Sequence, residues 1–95
     1  MIKVANVRYL EAIGNYTRIV FENEKPLHAR PLNKIENRLD SRKFFRINRS
    51  QIVNINHVER MEPWITGGLK IWLSCGKELD ISRRQTAKFK ELLTL

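Results

Sequence analysis

Short runs rich in aromatic and β-branched residues, separated by turn signals, follow one another along most of the chain and predict strands. Residues 7–13 and 16–22 form such a pair, and Gly14-Asn15 between them marks a two-residue turn, so the pair predicts a β-hairpin. A short strand follows at residues 27–30. Pro31 suits the first turn of a helix, and Leu32, Ile35 and Leu39 recur at helical spacing, which predicts one amphipathic helix ending near Asp40. Phe44, Phe45 and Ile47 then alternate into a polar stretch in which Asn48 is placed to cap a turn containing Arg49, Ser50 and Gln51. Residues 57–64 read as a strand stopped at or just after Pro63. Gly67-Gly68 is a turn, residues 69–73 a strand, Cys75-Gly76-Lys77 a second turn, and residues 78–81 the last strand. Ser82 is a cap for a final helix over residues 83–93, whose Ala87, Phe89, Leu92 and Leu93 are expected to dock on a sheet. The expected class is mainly β with one or two small helices.

Length and composition narrow this reading. A chain of 95 residues, 42% of them hydrophobic, is one folded domain over residues 1–95 and is short for an enzyme with a deep cleft between layers. No run approaches the roughly 18 apolar residues of a membrane span, and residues 1–10 lack the apolar core of a signal peptide. The expectation is a soluble, unprocessed chain without membrane contact. The single cysteine, Cys75, has no second thiol for a disulfide or a zinc pair, which fits a reducing compartment, the cytoplasm. Its expected role is that of a small apolar filler.

Charge adds a direction. Of the net charge of +8, none comes from residues 1–24, where Lys3, Arg8 and Arg18 balance Glu11, Glu22 and Glu24. Farther on, Arg42, Lys43, Arg46 and Arg49 follow one another without an acid between them, and Arg83, Arg84, Lys88 and Lys90 form a second group. A local excess of this kind fits a polyanionic partner, or else a solvated basic surface. Arg42 and Lys43 have a sufficient explanation just past the C-terminus of the first helix. Arg83 and Arg84 do not, because they open the last helix at its positive end, where a cation costs ~0.3–1 kcal/mol. Arg49 has the same awkward placement if Asn48 caps a turn. Local misfits accompany functional sites, and free amides at a helix start, extended by arginines, present one surface to phosphates and guanine edges. The alternative is that these arginines pair with Glu78 or Asp80.

The segments YLEAIGNYTRIVF, ARPLNKIENRLDSRKFFRINRSQIVNINHVERME and LKIWLSCGKELDISRRQTAKFKELL together resemble the LytTR DNA-binding domain of bacterial transcription regulators, over about residues 4–93. Its most specific pieces are Phe45-Arg46, Arg49-Ser50, Ile52-Val53-Asn54 and Ile81-Ser82-Arg83, in the right order and separation. The resemblance implies short, mainly antiparallel sheets in an elongated arrangement with small helices at the side. It also implies that loops enter the DNA grooves, unlike the recognition helix of helix-turn-helix proteins. The DNA-facing positions it implies are Asn15, Tyr16, Thr17 and Arg18, then Asn48, Arg49 and Ser50, then Ser82, Arg83 and Arg84. Among these Thr17, Arg49 and Arg83 are the expected base readers, and Arg18, Arg46 and Arg84 the expected phosphate contacts. Asn48 stands where the family very often has histidine, and it is suited to an adenine edge, a phosphate or only its own turn. Arg46 has a stacked or paired structural arginine as its alternative, and Asn54 reads as structural. The resemblance further implies the C-terminal output part of a longer response regulator with a receiver or sensor domain. Binding as a dimer to paired direct repeats of double-stranded DNA is implied as well.

Other chemistry finds little support. His28 and His57 lack metal-ligand spacing to each other or to Cys75, Ser50 and Ser82 have no base placed by a motif, and no glycine-rich phosphate loop is present. No enzymatic activity, metal or cofactor is expected. Trp64 and Trp72 lie in apolar strands, where core or partner-surface roles outweigh stacking on single-stranded bases. Two other functions stay open. One is an RNA-binding module, although the aromatic motif of an RNA-recognition sheet and the GXXG of a KH domain are both missing. The other is a basic domain that meets an acidic protein.

Overall fold

The computed structural model describes residues 4–93, which form two antiparallel sheets flanked by two α-helices in an elongated body of 36 × 24 × 23 Å. The first sheet contains β1 (Tyr9–Ile13), β2 (Tyr16–Val20), β3 (Leu27–His28), β4 (Phe44–Asn48) and β5 (Gln51–Asn54), in the order β3-β2-β1-β5-β4. The second contains β6 (Val58–Pro63), β7 (Leu69–Leu73) and β8 (Glu78–Ile81) in sequence order. Helix α1 (Leu32–Glu36) follows β3, and α2 (Arg83–Leu93) ends the described chain. The mainly β class and the elongated arrangement agree with the sequence reading.

Period-two patterning explains why the first sheet is covered on both sides. Tyr9 lies opposite Val20 and Val53, and this face meets the second sheet in a core of Ile47, Leu69, Ile71, Leu73, Leu79, Ile81 and Phe89. One residue out of phase, Leu10 and Ile52 face the other way and pack with Phe44 and Val7 against Leu32 and Ile35 of α1. The first hairpin closes as expected: Gly14 takes a φ of +60°, which suits the leading position of a II′ turn.

Three local expectations are corrected. Helix α1 stops at Glu36, four residues short of Asp40, because Arg38 and Leu39 donate to the carbonyls of Ile35 and Glu36 and tighten the chain out of the α-helix. Arg42 therefore does not serve a helix end. It hydrogen-bonds Asp40 through its backbone N–H and its Nε, and these bonds hold the Asp40 carboxyl below the usual carboxylate range. Second, of the four residues expected to dock α2, only Phe89 is buried, accompanied by Thr86, with its ring tilted against that of Phe45 at 5.3 Å between centroids. Ala87 points away from the Thr86–Phe89 stripe, and Leu92 and Leu93, although a turn beyond Phe89 on its side of the helix, stay exposed, so the buried contact of the helix is confined to about one turn. Third, of the core and partner-surface roles expected for the tryptophans, the core is taken by neither. Trp72 alternates with the inward Ile71 and Leu73 and is covered by Arg60 at 4.1 Å, while Lys70 lies 4.4 Å from the ring of exposed Trp64.

Cys75 is exposed in the β7–β8 turn and is not a core filler. Cys75→Ser should accordingly leave both folding and DNA affinity almost unchanged, within about threefold, as surface changes cost less than ~0.5 kcal/mol. Loss of binding by the folded variant in a titration would mean that this thiol has a role the fold does not reveal.

Candidate nucleic-acid interface

Strand register gathers three loops at one end of the molecule. Glu11 pairs with Gln51 and the Ala12 N–H donates to the Ser50 carbonyl, so the β1–β2 turn at Gly14-Asn15 and the β4–β5 turn at Arg49-Ser50 leave the first sheet side by side. The start of α2 joins them from the second sheet, because the Ser82 N–H donates to the Ile47 carbonyl at 2.9 Å. Ser82 also caps α2, its Oγ accepting the Gln85 N–H and its carbonyl the Thr86 N–H. Arg46, Asn48, Arg49, Ser82, Arg84 and Gln85 line one open groove of about 610 Å³ between the last two loops.

The β4–β5 turn is built by side chains. Two-residue hairpin turns usually need a positive φ, yet no non-glycine residue among those described has one. Asn48 supplies the missing support. Its Oδ1 accepts the Ser50 N–H at 2.9 Å and the Ser50 hydroxyl at 3.1 Å, and its Nδ2 donates to Gln51 Oε1 and to the Asp80 carbonyl of β8 at 2.8 Å. The amide is thus fully engaged. Asn48 caps its turn and ties it to the chain leading into α2, which leaves it no free group for a base edge.

Arg46 is the second builder, the paired structural arginine that was the alternative to a phosphate clamp. Its Nε donates to the Asn48 carbonyl at 2.9 Å and its Nη2 to the Arg49 carbonyl, while Nη1 reaches Asn33 Oδ1 at 3.0 Å and Glu36 Oε1 at 2.7 Å on α1. With its side chain 18% exposed, it faces α1 and holds the turn from behind. Thr17 is corrected. It lies on the α1 side of β2, is 0% exposed, and its hydroxyl donates to the Arg30 carbonyl at 2.8 Å, so it is placed to hold the chain before α1 and not to read a base.

Asn15 and Tyr16 are exposed at the tip of the first hairpin. Arg18, farther down β2, pairs with Glu11 across the strands at 3.0 Å, which offsets its charge. Arg49, Arg83 and Arg84 are different. All are exposed, and none makes a side-chain hydrogen bond or ion pair among the described residues. The expected alternative, pairing of Arg83 with Glu78 or Asp80, is not formed among the described residues; both carboxylates face Lys70, whose Nζ lies 3.2 Å from Glu78 and 3.6 Å from Asp80. The hydrogen bond to Glu78, helped by the Asp80 charge, holds the Lys70 ammonium above its usual pKa. The site therefore presents uncompensated guanidinium groups on two braced loops, a geometry suited to polyanions and to guanine edges.

Sequence reasoning missed Gln85. Its Nε2 donates to the Arg46 carbonyl at 2.9 Å and locks α2 to β4. The signal was the Ser82-x-x-Gln85 spacing of a capping box, in which the glutamine would reach back to the Ser82 N–H. Here Ile47 already takes that N–H, and the glutamine amide is released for the strand.

Comparison with known proteins agrees with this geometry. The profile of the LytTr DNA-binding domain matches residues 1–94. The chain is 30% identical over 95 residues to the transcriptional regulatory protein LytR of Staphylococcus aureus strain N315, covering all of this chain and 39% of that protein. It is 33% identical to the CO-responsive transcriptional regulator RcoM of Rhodospirillum rubrum, over 99% of this chain and 40% of the relative. Thus the chain spans about two fifths of the length of these relatives. A solved LytTr DNA-binding domain of a putative methyl-accepting/DNA response regulator from Bacillus cereus superposes with a TM-score of 0.90 at 28% identity, over 99% of this chain and 86% of that one. With its sheets, its three gathered loops and this match over nearly every residue, the chain belongs to the LytTr DNA-binding domain family.

Proposed function

We propose that this domain regulates transcription by reading double-stranded DNA in a sequence-specific way, with Arg49 and Arg83 on base edges and Arg84 on the phosphate backbone. Asn15, Tyr16, Ser50 and Ser82 complete the surface toward the duplex, and Arg18 supports it with a charge partly offset by Glu11. The observation that carries the reading is that Arg49, Arg83 and Arg84 stand exposed on adjoining loops with no side-chain partner among the described residues, whereas Arg18, Arg42 and Arg46 are each held by an acid. Arg46 and Asn48 contribute by building the reading turn.

The relatives are longer regulators, and we take this domain as the output part of such a protein, joined to a receiver or sensor domain and acting in the cytoplasm. No helix among the described residues is long and apolar enough to cross a membrane. Occupation of paired direct repeats as a dimer belongs to the same proposal.

Selection of bound sites from random duplexes, followed by competition with duplex DNA, structured RNA and an acidic polymer, tests it. Duplex DNA carrying the selected site should compete best. Neutralisation of about four phosphates should give a log K against log salt slope of roughly −4, at about −0.9 per phosphate. An acidic polymer or a folded RNA that competes as well as the selected duplex would overturn the reading.

A further inference from the structure

We infer that Gly67, in the β6–β7 turn, positions the Arg83 side chain for base reading although it lies outside the three loops of the interface. The inference rests on the role proposed above for Arg83 and adds a specificity-determining position to it. A Cβ built on Gly67 would lie 2.9 Å from Arg83 Nε, 3.2 Å from its Cγ and 3.3 Å from its Cδ. The arginine stem thus runs directly along the bare backbone of this glycine. The neighbouring Gly68 is closer still to the same strand exit, since its Cβ would meet the Ile81 carbonyl oxygen at 2.4 Å. Together the two glycines let the β6–β7 turn lie flat against the chain from Ile81 to Arg83, beside a cavity of about 310 Å³ bordered by Trp64, Thr66, Lys70, Ser82 and Arg83.

Among the described residues no hydrogen bond or ion pair orients this guanidinium. Glu78 and Asp80 face Lys70. An unrestrained arginine loses rotamer freedom when it binds, so a surface that directs its stem favours the bound arrangement without touching DNA.

The fold contains its own control. Gly76 closes the β7–β8 turn with the same φ of +92° as Gly67. In both turns the glycine N–H donates three residues back, to the Trp64 and Leu73 carbonyls, and Trp64 and Leu73 in turn donate to Gly68 and Lys77. A Cβ at Gly76 meets nothing within 4 Å. Positive φ explains a glycine at both positions; only at position 67 would the added atom strike a side chain of the interface. That atom meets a flexible stem, so its effect belongs in recognition more than in stability.

The experiment compares Gly67→Asn and Gly76→Asn, asparagine being tolerant of positive φ, with Arg83→Ala and the Gly67→Asn/Arg83→Ala double variant. The ratio of affinities for a selected and a random duplex is measured by fluorescence anisotropy, and folding by thermal melting. Arg83→Ala should lower the ratio about tenfold. Gly67→Asn should lower it more than about threefold while melting like Gly76→Asn, which keeps the wild-type ratio; the double variant should match Arg83→Ala within about twofold, since coupled residues are not additive. A Gly67→Asn ratio equal to that of Gly76→Asn, or an additive loss in the double variant, overturns the inference. If Arg83→Ala keeps the wild-type ratio, Arg83 does not read sequence, and the proposed reading fails first and takes the inference with it. A measurement on the unaltered domain covers a Gly67 variant that does not fold. The Arg83 Nε–H should be less mobile on the picosecond to nanosecond scale than the Arg84 Nε–H by NMR relaxation, and equal mobility overturns the inference.

Discussion

Arg49→Ala and Arg83→Ala should each cost ~1–3 kcal/mol on a selected duplex, relax base preference at one position, and change binding to random duplex much less. The expectation follows from how the two arginines are held. Their backbones are fixed, Arg49 by the Asn48 and Arg46 hydrogen bonds to its turn and Arg83 by the Ser82 N–H bond to Ile47, while their guanidinium groups have no partner among the described residues. A rigid base carrying a free fork is what bidentate contact with guanine O6 and N7 needs. Lysine should not restore the preference, because it brings charge without the fork. Affinities on selected and random duplexes decide the matter, with circular dichroism as the check on folding. Unchanged specificity in both alanine variants would show that neither arginine reads sequence.

Arg46→Ala should act on the other axis, lowering stability by ~2–3 kcal/mol and the melting temperature by roughly 10 °C or more. The side chain engages four of its five N–H groups, two on the carbonyls of the reading turn and two on Asn33 and Glu36 of α1. Removing it leaves those carbonyls and a half-exposed carboxylate without their donor. Water recovers part of the loss, which keeps the figure below the sum of the separate bonds. DNA binding by the variant that remains folded should weaken on selected sites, as the turn loosens, with the salt slope unchanged. Arg84→Ala provides the contrast: normal melting and a slope smaller in magnitude by about one unit. If Arg46→Ala melts normally and loses that unit of slope itself, the arginine is a phosphate clamp after all.

Much of the secondary structure was legible in the chain because local chemistry suffices for it. The turns at Gly14-Asn15, Gly67-Gly68 and Cys75-Gly76-Lys77, the strands at residues 69–73 and 78–81, and the final helix from Arg83 to Leu93 each carry their own signal. So does Ser82 as the cap of that helix. Helix α1 was overextended, since Leu39 keeps the helical spacing while the chain around Arg38 and Asp40 turns under hydrogen bonds that periodicity does not report.

The roles of single site residues divide along the same line. Which residue types are present, how they are spaced, and which arginines sit where helix electrostatics disfavours them are properties of the sequence alone, and they pointed to Arg49 and Arg83. Which face of a strand meets which layer is not, because it depends on partners far away in the chain. Thr17 and Arg46 both face α1 and are spent on Arg30, Asn33, Glu36 and their own turn, although their spacing resembles that of exposed contacts. Asn48 had a turn-capping role within reach of sequence reasoning, but its bond to Asp80, 32 residues away, exists only because β4 and β8 are brought together. The sequence determined the inventory of charges and turns; the packing of α1 and of two sheets determined which charges are neutralised and which are left free to meet DNA, since an ion pair or hydrogen bond forms only between groups that folding places within about 4 Å of each other.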